Sequence, residues 1–318
     1  MKAAIYDSNG GPRVLRYVDV PDPVAGPGDV LIHVEAISIE GGDLMGRRSV
    51  TPGDPPRVKG YVAAGRVMAV GEEVADFQIG DRVTSFAAEG SHAELRAVPA
   101  TQCWRVPTDM DLPTAAAALV PFGTAGLALK LGGLRGGDVV LVQGASGGVG
   151  VAAVQIAHKA GARVLGTGSE AASLEALRVY GLTDPIVTDT ITTNEYVRSL
   201  LGQGVDLVID NVGGRAVTIG LKALADGGRL VLVGLFDHDV QPIDPITLLV
   251  RRLTVVGCYL GPIIAEPWVR AMIDNMLLRI AAGDLSAPID RIFPLNQAAA
   301  AHERAEARGR IGRVVMVP

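Results

Sequence analysis

The sequence predicts an α/β chain in two parts, a small β-barrel-like domain followed by a doubly wound parallel-sheet domain. Three observations carry this reading. Short apolar runs between Gly/Pro turn signals fill roughly the first hundred residues. From Asp138 onward, strand and helix patterns alternate, which means βαβ units and a parallel sheet. At the first strand-to-helix junction stands the turn Gly144-Ala145-Ser146-Gly147-Gly148-Val149-Gly150.

In the first part, strands are expected at Val30-Leu31-Ile32-His33-Val34, at Gly65-Arg66-Val67-Met68-Ala69-Val70 and at Asp81-Arg82-Val83-Thr84-Ser85-Phe86. Turn signals lie at Pro21-Asp22-Pro23, Gly26-Pro27-Gly28-Asp29 and Thr51-Pro52-Gly53-Asp54-Pro55-Pro56. An Ala-rich helix is expected over 112–131. Strands follow over 139–143, 163–167, 206–210, 229–235 and 253–258. Helices are expected over 149–160, 171–180, 194–201, 216–224, 267–282 and 296–308, and a last strand over 314–317. No internal repeat or low-complexity linker interrupts the pattern.

Composition narrows the function classes. A length of 318 residues suits two domains. The net charge of −5, without a basic stripe, argues against nucleic-acid binding. Cys103 and Cys258 stand far apart without neighbouring ligand residues, which argues against a disulfide scaffold or a metal cluster and fits a reducing compartment. The start Met1-Lys2-Ala3-Ala4-Ile5-Tyr6-Asp7 has no apolar signal core. No window approaches the ~20 apolar residues of a membrane span. The expectation is a soluble cytoplasmic protein with no membrane association and a small molecule as its partner.

The glycine turn points to a dinucleotide. Glycines let backbone approach the pyrophosphate, and a helix start offers unbonded N–H groups and a positive dipole end. Ala145 departs from the strict pattern, which has its first glycine there. The turn contacts expected are Ala145, Ser146, Gly147, Gly148 and Val149. After the second strand, Gly168 and Ser169 face the adenosine ribose. With no acid directly at the strand end, NADP is favoured; Glu170 leaves NAD open. Ser169 also suits an N-cap. Asn211 and Val212, then Gly234, Leu235 and Phe236, follow later strands and face the nicotinamide half, since ligands of open parallel sheets bind beyond the carboxyl ends of the strands.

In the first domain, Ser38-Ile39-Glu40-Gly41-Gly42-Asp43-Leu44-Met45 reads as a turn carrying two acids. Glu40 and Asp43 are candidates for proton transfer or for anchoring a substrate, and Tyr61 for donating a proton or hydrogen bond. Each also suits a structural role: a solvated or capping acid, a core-edge tyrosine. His92 reads as a strand-edge histidine. No His pairs with Cys at ligand spacing, so no metal is expected.

Taken in order, several segments resemble the medium-chain dehydrogenase/reductase superfamily, in its zinc-independent quinone oxidoreductase branch. They are Val18-Asp19-Val20-Pro21-Asp22-Pro23 with Pro27-Gly28-Asp29-Val30-Leu31, and Ala69-Val70-Gly71-Glu72-Glu73-Val74 with Phe77-Gln78-Ile79-Gly80-Asp81-Arg82-Val83. Gly123-Thr124-Ala125, the glycine turn, Asp226-Gly227-Gly228-Arg229-Leu230, Ile292-Phe293-Pro294-Leu295 and Gly312-Arg313-Val314-Val315 complete the set. The resemblance implies a GroES-like domain, 1–115 completed by 262–318, and a Rossmann domain over 116–261, with the active site in a cleft between them. It adds Thr124 and Arg313 to the coenzyme contacts and implies a homodimer. It places Glu40, Tyr61-Val62 and Val120 where zinc-dependent relatives carry ligands. Within the branch, Glu40-Gly41-Gly42-Asp43 replaces the usual Asn-Pro-Val-Asp, and Met45 a tyrosine. Ser173 replaces a phosphate-binding Lys, and Thr188-Asp189 an Asn-Tyr pair.

The reaction expected is hydride transfer from NADPH, or NADH, to a quinone or to the β-carbon of an activated enone or enoyl thioester. Without zinc, an isolated carbonyl is poorly polarised, whereas a conjugated acceptor spreads the negative charge itself. Two alternatives stay open: a specialised biosynthetic reductase or cyclase on the same fold, and a nucleotide-binding protein without turnover.

Overall fold

The structure is a computed structural model that describes all residues except 50–57, 189–192, 238, 240 and 241. The turn expected over 51–56 and Asp189 lie outside the described residues. Chain order begins β1 (Lys2–Ile5), β2 (Arg16–Asp19), β3 (Asp29–Ser38), α1 (Gly41–Ser49), β4 (Val62–Val70), β5 (Arg82–Phe86), β6 (Leu95–Pro99), β7 (Cys103–Arg105) and α2 (Leu112–Leu131). It continues β8 (Val139–Gln143), α3 (Gly148–Lys159), β9 (Arg163–Gly168), α4 (Ala171–Glu175), β10 (Asp184–Val187), α5 (Thr193–Leu201), β11 (Val205–Asp210), α6 (Arg215–Ala223) and β12 (Leu224–Leu232). It closes with α7 (Pro245–Arg251), β13 (Thr254–Gly257), α8 (Pro267–Ala281), β14 (Ile289–Pro294), α9 (Ala298–Glu306) and β15 (Arg313–Val317).

The chain forms two compact units. The first comprises Met1–Val120, Gly261–Ala307 and Gly312–Pro318; the second comprises Pro121–Leu260 and Arg308–Ile311.

The first unit is built on a sheet ordered β14-β15-β3-β4-β5-β7, with β6 also on β3. All pairs are antiparallel except β14 with β15. Inward residues of β3 (Val30, Ile32, Val34) meet Val83, Val98, Val314 and Met316 in one core. The alternation read in the sequence is the signature of this one-sided burial.

The second unit carries a sheet ordered β10-β9-β8-β11-β12-β13, all parallel. Val140, Leu141 and Val142 of β8 are all fully buried, the continuous apolar run that a parallel strand covered on both faces requires. The order turns back between β8 and β11, which makes a topological switch point at the carboxyl end of β8.

Two sequence expectations need correction. Residues 41–49 form helix α1 rather than a turn. The side chain of Asp43 reaches back to accept the Glu40 backbone N–H at 2.7 Å, and this cap starts the helix despite two glycines. The long α2 is apolar enough, by length and composition, to cross a membrane; 83% of that window is buried inside the protein, as in the core helix of a globular fold. His92 stands just ahead of β6, and its side chain is buried.

Candidate functional site

The glycine turn leaves β8 at the switch point and enters α3. Gly144 holds φ +69°, a conformation open to glycine. A Cβ on Gly150 would lie 2.3 Å from the Gly144 carbonyl oxygen and 2.6 Å from that of Ala145, so only hydrogen fits. Ala145 is tolerated for a visible reason. It is fully buried, its N–H donates to Thr167 O at 2.9 Å, and its methyl packs on Gly166, where a Cβ would come within 2.9 Å. The departure from the strict pattern is absorbed by a glycine in the neighbouring strand.

Gly147 is the N-cap of α3, and no side chain caps its first-turn N–H groups. Backbone N–H groups of Ser146, Gly148 and Val149 therefore present donors and a positive dipole end to an anion, while the Gly147 N–H donates to Gly144 O at 3.3 Å. Beyond β11, Asp210 is buried and accepts the N–H groups of Val212 and Gly213, which folds the chain tightly after the strand. A Cβ on Gly234 would lie 2.0 Å from Asn211 O, so the turns after β11 and β12 touch backbone to backbone. Asn211 Nδ2 donates to Gln143 O at 2.9 Å, while Asn211 Oδ1 and Gln143 Oε1 are buried without a hydrogen-bond partner. The orphaned Asn211 Oδ1 fits a ligand that brings its own donor, whereas the Gln143 side chain turns onto α6, its Nε2 donating to Ala216 O at 3.0 Å. Leu235 and Phe236 lie half-exposed or more just beyond, and Thr124 of α2 is buried with its carbonyl facing the Cys258 thiol at 3.8 Å. Burial pushes that thiol up to about 12, which leaves it a packing group.

At the carboxyl end of β9, Gly168 O accepts the Thr188 N–H at 3.1 Å. The N-cap of α4 is Glu170, without a side-chain cap bond, so Ser169 does not serve as that cap. Ser173, in the position of the usual Lys, is buried. The sequence reading missed the basic groups of this corner. Arg308 and Arg310 flank Gly309 in the one C-terminal stretch that belongs to the second unit, and a Cβ on Gly309 would lie 3.8 Å from Glu170 Cγ. The signal was present as Arg-Gly-Arg, far downstream in the chain and hidden by that distance.

The first unit gathers the acid candidates. Glu40 and Asp43 are buried at opposite ends of one cap. Glu40 Oε1 accepts the Ser38 hydroxyl at 2.7 Å, and Oε2 lies 2.5 Å from Arg313 Nη2. Arg313 is thus held in the first unit on Glu40, at the start of β15. Burial pushes the Asp43 carboxyl up to about 7. The Glu40 N–H opposes the shift and the Glu40 charge adds to it, while Arg313 and the Tyr61 N–H favour the ionised form. The Tyr61 ring lies against Gly42, where a Cβ would meet its Cε2 at 2.0 Å, and tilts on Phe86 with centroids 5.7 Å apart. Tyr61, Glu40 and Asp43 therefore share one locality.

The zinc positions do not fit zinc. Glu40 is occupied by an arginine and a serine, Tyr61 stands where a histidine ligand would, and Val62 and Val120 carry no donor.

Residues 26–108 match the family model of the alcohol dehydrogenase GroES-like domain, and residues 148–277 match that of the zinc-binding dehydrogenases. The chain is 32% identical to the synaptic vesicle membrane protein VAT-1 homolog of Rattus norvegicus, over 93% of this chain and 78% of that protein. It is likewise 32% identical to a 2-haloacrylate reductase of Burkholderia sp, over 99% of this chain and 98% of the relative. The crystal structure of Escherichia coli quinone oxidoreductase complexed with NADPH superposes with a TM-score of 0.92 at 25% identity, covering 100% of both chains.

Proposed function

Because this chain belongs to the medium-chain dehydrogenase/reductase superfamily, with the quinone oxidoreductases, we propose that it is a zinc-independent, NADPH-dependent reductase of a conjugated acceptor: a quinone, an enone or an enoyl thioester. The observation that carries the reading is the turn at Gly144–Gly150, packed so closely on α3 that a Cβ at Gly150 would strike its carbonyls, at the switch point of the parallel sheet.

The bound nicotinamide supplies hydride; the chain's own residues bind, orient and protonate. N–H groups of Ser146, Gly148 and Val149 hold the pyrophosphate. Asn211 Oδ1 accepts from a hydroxyl or amide donor of the coenzyme. Gly168 and Ser169 leave room for a 2′-phosphate, and Arg308 and Arg310 supply the charge that the absent Lys does not. Hydride to the β-carbon puts negative charge on the conjugated oxygen, and a proton completes the reduction. Tyr61, with Asp43 and Glu40 beside it, is the proton source in the first unit; Asp43 is pushed up to about 7, so it is partly protonated near neutrality. The catalytic role belongs to residues 1–115 with 262–318, and coenzyme binding to 116–261 joined by the Arg308–Ile311 stretch. The protein is cytoplasmic and a homodimer in this reading.

The test is NADPH oxidation against a panel of quinones, enones and enoyl thioesters. Turnover is expected with at least one class, and coenzyme binding without turnover across the panel would overturn the assignment. Arg308→Ala is expected to weaken NADPH about tenfold while leaving NADH unchanged, the loss of one charge-assisted contact to the 2′-phosphate. Tighter binding of NADH than NADPH to the wild type would overturn the coenzyme preference.

A further inference from the structure

A line of buried polar side chains runs through the first unit. Arg47 of α1, His302 of α9, His92 and Ser91 all lie at or below 2% exposure. Arg47 Nε reaches His302 Nδ1 at 3.4 Å, His302 Nε2 and His92 Nε2 are 2.9 Å apart, and His92 Nδ1 lies 3.1 Å from Ser91 Oγ. One direction satisfies every atom. A guanidinium N–H only donates, so His302 Nδ1 accepts and its Nε2 carries the hydrogen. His302 then donates to His92 Nε2, and His92 donates from Nδ1 to the serine oxygen. Both rings are neutral in this arrangement. Their burial agrees, pushing His92 down to about 3 and His302 well below its ordinary value.

The line ends against a backbone. Gly60 holds φ +104°, and a Cβ there would lie 1.9 Å from His92 Nδ1 and 2.1 Å from Ser91 Oγ. The Ser91 N–H also donates to Gly60 O at 3.2 Å, and the His92 N–H to Lys59 O at 3.0 Å. The next residue is Tyr61. Its carbonyl is gripped by Arg96 Nη2 at 2.8 Å and by the Ala87 N–H at 3.0 Å, and its ring is pressed on Gly42. Gly42 and Arg47 belong to one helix, α1, so that helix meets the Tyr61 ring at its start and anchors the line at its far end.

We infer that His302, His92 and Ser91 are positioning residues for Tyr61, acting through Gly60: the line fixes where the Tyr61 phenol stands. The inference rests on the reading of Tyr61 as a group that touches the acceptor. A purely structural tie would have no need to end on the one left-handed glycine beside that residue.

The experiment measures kcat and KM for NADPH and an enone, with thermal melting as the folding control. Ser91→Ala and His302→Leu break the line. His302→Gln restores an acceptor and a donor on the same side chain. Ser91→Ala and His302→Leu are expected to lower kcat about tenfold at unchanged KM for NADPH. His302→Gln is expected to recover most of that loss. In a Tyr61→Phe background the same substitutions are expected to cost nothing further, since the group they position is gone. Ser91→Ala removes one oxygen only, so it serves if His302→Leu fails to fold. Lowered melting with unchanged kcat, or losses that multiply with that of Tyr61→Phe, would overturn the inference while Tyr61 keeps its role. Unchanged kcat in Tyr61→Phe would overturn the role of Tyr61, and the inference with it.

Discussion

Asp43 shows how one residue serves two ends. Its carboxylate caps α1 by accepting the Glu40 N–H, yet burial pushes its pKa from 3.8 up to about 7. Between those values the folded chain holds a proton that the unfolded chain has released. The Asp43 contribution to stability therefore falls as pH rises from about 4 to about 7, and is flat on either side. Asp43→Asn keeps an acceptor for the Glu40 N–H and removes the titration. The variant is expected to match the wild type near pH 4 and to exceed it at pH 8 by on the order of a few kcal/mol. Denaturant melts at several pH values check this, and a difference that does not grow with pH would refute it. The same residue was visible in the sequence as a candidate acid, but not its environment. That environment includes Arg313 and Tyr61, which come from distant parts of the chain.

At the scale of elements, the turn from β8 into α3 decides coenzyme binding. Gly150→Ala places a methyl within 2.6 Å of two backbone oxygens, which no rotamer can relieve. The turn must open, and with it the row of N–H donors. NADPH affinity is expected to fall at least about a hundredfold, the loss of several charge-assisted bonds to one pyrophosphate. Calorimetric titration reads it directly, and affinity within about threefold of wild type would remove the turn from the site. This element was legible because local chemistry forces it: an apolar strand, glycines, then helical periodicity. Strand β8 stands over the residues the pattern assigned, and α2 ends where its apolar run ends. Helix α1 was not legible as a helix. Gly41, Gly42 and Gly46 disfavour it locally, and besides the local Asp43 cap it is held by the Tyr61 ring, a tertiary contact. The Arg308–Ile311 stretch was missed for a related reason, since no local pattern says which of two units a closing loop will join.

For the whole molecule, the placement of groups in two units separates two kinds of effect. The pyrophosphate cradle, the orphaned Asn211 acceptor and the Arg308–Ile311 stretch belong to the second unit; Asp43, the histidine line and Tyr61 belong to the first. A ligand stabilises the state that binds it by RT ln(1 + [L]/Kd), about 2.7 kcal/mol at a hundredfold excess over Kd. Melting with rising NADPH is therefore expected to shift upward logarithmically. Asp43→Asn and His302→Gln, altered only in the first unit, are expected to keep the full shift even where their own melting temperatures differ from wild type. Gly150→Ala is expected to lose it. Acid acts on the other side of this division. His92 and His302 stay neutral when folded but charge in the unfolded chain below about 6.5, so their contribution is present above that pH and is lost as pH falls below it. Asp43 opposes them over part of that range with its single proton, and Arg47, Arg96, Glu306, Glu40 and Arg313 surround these groups with fixed charge. Two protons against one leaves a net loss of stability below pH 6.5, which Asp43→Asn is expected to steepen. A coenzyme shift abolished by the first-unit variants, or retained in Gly150→Ala, would show that the binding groups have been assigned to the wrong unit.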